Sequence, residues 1–183
     1  MFKNQFRTNK IKNFYIIFDD KYISFLFEVT LMIQTNRLII NHYSDQDELS
    51  MIELLMNPIV HKSYVIPDFN SFDEASRFFH KLMAYSHSSE HYEYGIYYQK
   101  QLIGFVNDVD IEEDSIEIGY VIHPNYHNMG FATEMLKAVI DDLFHKGYKT
   151  IYTCAFDFNT PSFRVMEKCG MKRAVQRAAP TGP

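Results

Sequence analysis

Tryptophan is absent from this 183-residue chain, and cysteine (two) and glycine (seven) are scarce. Cys154 and Cys169 are too few for a disulfide scaffold and lack metal-ligand spacing, so they read as small buried hydrophobes of a reducing compartment. His87 and His91 in "HSSEH" have no third ligand nearby, and no metal is expected. Positive charge is also short. A net charge of −5 leaves no basic stripe to neutralise phosphates, which argues against a nucleic-acid partner and for a small molecule or peptide. Long apolar runs are missing too: "NFYIIFDDKYISFLFEVTL" is broken by Asp19, Asp20 and Lys21 before reaching the ~20 residues of a membrane span. It has no small-residue cleavage site of a secretory signal, so a cytoplasmic protein without a membrane partner is expected.

What is present is ordinary globular material: 46% hydrophobic and 22% charged residues, enough for one well-buried domain. The two ends differ from the rest. Residues 1–31 are rich in Phe, Tyr, Ile, Asn and Lys without clean periodicity. "FEVTLM" is compatible with codons resembling a ribosome-binding site just before Met32, so one reading makes residues 1–31 a translated leader; the other makes them an extra strand or helix. In "RAVQRAAPTGP", residues 173–183, eight of eleven residues are Gly, Ala, Arg or Pro, a composition that suggests a frame-shifted or vector-derived tail. The domain is therefore expected over residues 32–172.

Between these ends the pattern predicts β-α-α-β-β-β-α-β-α, an α+β domain with a mixed central sheet flanked by helices. "RLIINHY" reads as a strand, and "SDQDELSMIELLMN" as a helix capped by Ser44 with apolar Leu49, Ile52, Leu55 and Met56 near helical spacing. Ser71 and Glu74 form a capping box before a second helix whose buried side is expected to carry Phe72, Phe78 and Leu82. "YEYGIYY", "QLIGFVNDVDI" and "SIEIGYVI" follow as an antiparallel meander, with turns at 99–101 and 112–114. A helix beginning at Gly130 and ending near Gly147, the strand "YKTIYTCAF", and a helix from Pro161 to Gly170 complete the order.

Gly130 is an odd entrance to a helix, because Ser, Thr or Asp caps better. A helix N-terminus presents unsatisfied N–H groups and the positive end of its dipole, and a residue without Cβ lets an anion approach the backbone. A tight turn accounts for one glycine equally well. The stretch is neither G-x-G-x-x-G nor a Walker loop.

His127-Asn128-Met129-Gly130-Phe131-Ala132 resembles the Arg/Gln-x-x-Gly-x-Gly/Ala signature of the GNAT superfamily of acetyl-CoA-dependent N-acetyltransferases. "EIGYVIHPNY", residues 117–126, and Asn159-x-x-Ser162 with the later Glu-Lys-Cys-Gly are similar to its Rim-type branch, which includes ribosomal-protein N-acetyltransferases. The resemblance spans Met32 to about Lys172. It implies that acetyl-CoA is the co-substrate, with pantetheine in a gap between the fourth and fifth strands. The backbone of Val121, Ile122 and His123 would hold that arm, and Asn128, Met129, Gly130, Phe131, Ala132 and Thr133 would meet the pyrophosphate, with Asn159 orienting CoA or the loop. His127 stands where the family has Arg, Gln or Trp.

Acetyl transfer to an amine needs a neutral nucleophile, stabilisation of the carbonyl oxygen and a proton for the leaving thiolate. Glu117 matches the family's acid and is the candidate base; an exposed strand glutamate is the bland alternative. Backbone N–H at Val121 or Ile122 would meet the oxyanion. Met166 occupies the place of a frequent family tyrosine, which makes Ser162 the candidate for the thiolate proton, against a plain first-turn serine. Tyr64, Phe79, Tyr92 and Tyr94 are candidates for the acceptor side, against the core role usual for aromatics. The acceptor would be a small-molecule amine or a peptide N-terminus.

The family continues with two further strands that this chain is expected to lack. That would leave the fifth strand as an open edge able to pair with another chain, as in a homodimer. The rival function is a non-catalytic acyl-CoA-binding or interaction protein, inactive through that loss.

Overall fold

Alternation in "SIEIGYVI" sends Ile116, Ile118 and Ile122 to one side of a strand and Glu117, Gly119 and Val121 to the other, and this division runs through the molecule. The computed structural model describes residues 11–17 and 32–173. In chain order these form β1 (Ile11–Ile17), β2 (Ile33–Gln34), β3 (Leu38–Asn41), α1 (Glu48–Leu55), α2 (Pro58–Ser63), α3 (Phe72–Ser86), β4 (Glu93–Tyr98), β5 (Gln101–Ile111), β6 (Ser115–Ile122), α4 (Phe131–His145), β7 (Thr150–Phe156), α5 (Thr160–Lys168) and β8 (Lys172–Arg173). Single turns of 3-10 helix lie at Asp45–Asp47 and Pro124–Tyr126.

The strands form one sheet in the order β2-β3-β4-β5-β6-β7-β1-β8. Every neighbouring pair is antiparallel except β6 with β7, which the α4 crossover joins in parallel. The larger core, under α4 and α5, includes Ile103, Val106, Ile116, Ile118, Ile151, Met135, Val139 and Leu143. The smaller one, under α1, α2 and α3, includes Tyr43, Met51, Leu54, Val60, Phe79, Phe105 and Val121. The α+β class and the meander β4-β5-β6 are as expected. Left-handed Gln99 and Lys100 make the first meander turn, the conformation a two-residue hairpin demands.

Details depart from expectation where tertiary contacts outvote local pattern. The first helix is split: Ser44 and Asp47 form a capping box around the 3-10 turn, and Leu49 is 71% exposed on α1. Phe72 is 50% exposed at the start of α3, and only half of the capping box forms there. Ser71 Oγ accepts from the Glu74 N–H, whereas the Glu74 carboxylate turns to the Asn70 N–H.

The main correction concerns the edge beyond β7, expected to be open. β1 pairs with β7 along its whole length, from Ile11 opposite Phe156 to Ile17 opposite Thr150, and β8 then pairs with β1 at Phe14 and Tyr15. Of the two readings of the N-terminal segment, the extra strand is the one seen for residues 11–17. Residues 1–10, 18–31 and 174–183 lie outside the described residues, and with them the expected ribosome-binding signal and most of the expected tail. Phe14 is wholly buried, its ring stacked 5.4 Å from that of Phe163 on α5. Truncating a buried phenylalanine costs ~3–5 kcal/mol. Phe14→Ala is therefore expected to shift the urea unfolding midpoint downward by a corresponding amount, and an unchanged midpoint would show that β1 does not dock on β7 in solution.

Candidate functional site

Parallel pairing of β6 and β7 runs only from Ser115 opposite Thr150 to Ile118 opposite Thr153. β6 continues to Ile122 and β7 to Phe156, each held by its other neighbour, so the two strands part and leave a cleft between their C-terminal ends. On β6 the backbone groups of Tyr120 and Ile122 face the place β7 has left, whereas those of Val121 and His123, expected there too, face β5, the His123 N–H bonding the Ile103 carbonyl at 2.7 Å. Ligands collect at such a place in α/β layers, outside the carboxyl ends of strands and beside a helix N-terminus.

That helix is α4. Gly130 is its N-cap, left-handed at φ 82°, and gives no capping side chain, which leaves the first N–H groups of Phe131, Ala132 and Thr133 for a ligand. Asn128 is also left-handed, at φ 61°. The loop is braced from behind. Arg37 Nη1 donates to the Met129 carbonyl at 3.0 Å, its guanidinium lies 4.4 Å from the Phe131 ring centroid, and Glu134 accepts from Arg37 Nε at 2.7 Å and Thr35 Oγ1 at 2.6 Å. Burial alone would raise the Glu134 carboxyl, but these hydrogen bonds and the guanidinium charge outweigh it and hold the pKa below its ordinary value. His127 Nε2 bonds the Ile122 carbonyl at 2.8 Å, tying the loop to the end of β6. His123 Nδ1 accepts from the Asn125 N–H at 3.2 Å, and its Nε2 faces Glu53 of α1 at 3.5 Å.

Across the cleft, Asn159 caps α5, its side chain accepting from the Ser162 N–H at 3.3 Å, which places Ser162 in the first turn. Met166 is buried one turn later.

On the α1–α3 face of the sheet, Glu117 sits half-buried on β6 where the strands begin to part, with Cys154 of β7 beside it. Tyr64, just after α2, reaches over Gly119 so closely that a Cβ there would meet its hydroxyl at 2.1 Å, and it donates to Asn107 Oδ1 at 2.5 Å. Behind lies Glu93, almost wholly buried, accepting from the Tyr43 hydroxyl. Burial pushes the Glu93 carboxyl up to about 8, with Tyr43 opposing and the Asp108 charge adding to the rise. The same burial, with Glu93, Cys154 and Glu117 nearby, raises the Tyr64 hydroxyl, so it stays protonated.

A family profile described as "Acetyltransferase (GNAT) domain" matches residues 37–172. The chain belongs to the GNAT acetyltransferase family. It is 43% identical over 63 residues to the uncharacterized N-acetyltransferase YnaD of Bacillus subtilis (strain 168), a match spanning 33% of this chain and 36% of that relative. It is also similar to the crystal structure of a GNAT-family acetyltransferase from Bacillus anthracis, with a TM-score of 0.67, 26% identity, and coverage of 77% of this chain and 83% of that one. RimL, a ribosomal L7/L12 alpha-N-protein acetyltransferase solved with coenzyme A, has the same fold at a TM-score of 0.67 and 16% identity, covering 75% and 82% of the two chains.

In this GNAT chain the four aromatics expected on the acceptor side are not brought together. Tyr64 lies beside Glu117. Phe79 is wholly buried on α3 against Tyr43. Tyr92 donates to Asp142 of α4 at 2.9 Å, and Tyr94 packs against Tyr92 and His42, both in the core of the opposite face. Arg37, Asn107, Glu93 and Tyr43 were not foreseen. Arg37 is marked in sequence only as the cation that opens the stretch "RLIINHY", and the others stand among strand residues with nothing to mark them.

The Glu93 shift has a defined consequence. In the window from about 4.5 to about 8 the folded protein keeps a proton that the unfolded chain has released, so stability is greatest below that window and declines as pH rises through it. Denaturant midpoints measured across it should fall with pH for the parent, and Glu93→Gln should flatten the slope; an equal slope in both would place the titration elsewhere.

Proposed function

We propose that this chain transfers an acetyl group from acetyl-CoA to a primary amine, on a small molecule or a peptide N-terminus, by direct attack within the cleft between β6 and β7. The observation that carries the reading is the parting of those strands after Ile118 and Thr153, with Glu117 at the fork and the uncapped N-terminus of α4 beyond it. Residues 32–172 are the catalytic unit on this reading. When bound, acetyl-CoA supplies the thioester that is broken.

The residues present suit such a ligand. The N–H groups of Phe131, Ala132 and Thr133, with the loop Asn128–Met129–Gly130, take the pyrophosphate without a basic side chain. Of Val121, Ile122 and His123, Ile122 alone turns its N–H to the space β7 has left, and that N–H meets a pantetheine amide or the carbonyl oxygen as charge develops, whereas the His123 N–H is given to the Ile103 carbonyl and Val121 faces β5. Asn159 holds the first turn of α5, and the leaving thiolate takes its proton on the Ser162 side of the cleft. Glu117 accepts the proton of the incoming ammonium through water, while Tyr64 and Asn107 border the space the amine enters.

Calorimetric titration of acetyl-CoA into the protein should show one binding site, lost in Gly130→Glu, which puts a carboxylate in the anion site on a left-handed residue. Glu117→Gln should keep binding and lose about 100-fold in transfer rate to amines at pH 7. Binding with no transfer that depends on Glu117 would identify an acyl-CoA-binding protein instead.

A further inference from the structure

A row of paired residues crosses the sheet from β5 to β8: Asp110 stands opposite Glu117, Glu117 opposite Tyr152, Tyr152 opposite Tyr15, and Tyr15 opposite Lys172. Residues paired across neighbouring strands point to the same face. For this row that is the α1–α3 face, which Glu117 shares with Cys154. Lys172 obeys the same rule, because the next residue, Arg173, lies on the other face with its guanidinium over the rings of Phe14 and Phe163, at 5.7 and 5.5 Å. The core under α1, α2 and α3 draws its sheet residues from β4, β5 and β6, and no member of the row belongs to it. Tyr152 and Tyr15 are half-buried, with ring centroids 6.4 Å apart and planes inclined by 46°. Asp110 and Lys172 are exposed.

The row is graded in charge. Carboxylates stand at one end, aromatic rings in the middle and an ammonium at the far end. Adjacent strands are ~4.8 Å apart, so the rings cover the space from roughly 5 to 10 Å beyond Glu117. An anion next to the reacting nitrogen meets Glu117 and Asp110. A second cation on the rings gains from their faces, but it gives up water on half-buried ground and stands next to the Lys172 ammonium. A neutral aromatic group gains from ring packing and meets neither charge.

We infer that this row selects the acceptor: a primary amine that carries a neutral aromatic group, with its nitrogen beside Glu117 and its ring on Tyr152 and Tyr15. The inference rests on the acetyl-transfer reading above and names the class of acceptor for that same site. It also gives β1 a part in the site, since Tyr15 supplies one of the rings. An anionic group on the acceptor belongs at the Lys172 end, roughly 14 Å from Glu117 by strand spacing.

The test measures kcat/KM at saturating acetyl-CoA for phenethylamine, propylamine, diaminobutane and phenylalanine. Phenethylamine is expected to be the best of these, ahead of propylamine by about 10-fold, with phenylalanine poor because its carboxylate lies beside the nitrogen. Tyr152→Leu and Tyr15→Leu should each lower the ratio of phenethylamine to propylamine by about 2- to 10-fold. A ratio is read because a general loss of folding or of acetyl-CoA affinity lowers both rates and leaves it unchanged. Equal rates for the two monoamines in the parent, a preference for diaminobutane or phenylalanine, or a ratio untouched in both variants overturns the inference. A parent that binds acetyl-CoA by calorimetry but acetylates none of these amines also sinks it and leaves the acetyl-transfer reading in place. A parent that does not bind acetyl-CoA brings down that reading, and this inference with it.

Discussion

The site depends on two parallel strands pairing for four residues and then separating. A parallel pair that stops bonding strands backbone N–H and C=O groups in the interior, which is costly unless something else satisfies them. In this chain the cost is contained because each strand is fully bonded on its far side: β6 by β5 out to Ile122, and β7 by β1 out to Phe156. β1 thus does more than cover an edge, since without it the part of β7 that diverges would have no partner on either side.

The α4 end of the cleft is set by a different interaction. Gly130 forgoes side-chain capping, so the loop before the helix has to be held from outside. Arg37 and Thr35 do this from the β2–β3 turn: both bond Glu134 in the first helical turn, and Arg37 also takes the Met129 carbonyl. Using the carbonyl inward leaves the N–H groups outward, the arrangement an anion requires. The ion pair is partly exposed and adds little to global stability. Its effect is local order.

Local signals made much of this legible. The Gly130 helix, the meander and the helix from Pro161 follow from turn, cap and periodicity rules that need only neighbouring residues. What could not be read was whatever depends on distant pairing. Residues 11–17 carry no clean alternation, and their place beside β7 is fixed by pairing with strands near the far end of the chain, which no local signal announces. Leu49 and Phe72 fit a helical stripe in sequence, yet these two face solvent while Ile52, Leu55 and Leu82 of the same stripes are buried, because the sheet lies to one side only. Among the aromatics, Tyr64 differs from Tyr92 and Tyr94 in which face of the sheet it reaches, whereas Phe79 shares its face but is wholly buried against Tyr43. Strand parity separates those faces, but nothing in the sequence says which face an acceptor would enter.

The two faces also divide the chemistry, and the cysteines make the division plain. Cys154 stands beside Glu117 on the α1–α3 face. Burial first, and then the Glu117 charge, push its thiol far above the ordinary value, so the nucleophilic thiolate is scarce there. Cys169 is buried on the other face, its thiol pushed up to about 11 by burial and its Sγ directed at the Thr133 carbonyl. Neither is available as an acyl carrier. A carboxylate next to a suppressed thiol is better suited to take a proton from an amine than to activate that thiol, which is why direct transfer fits this face of the sheet better than an acyl-enzyme does.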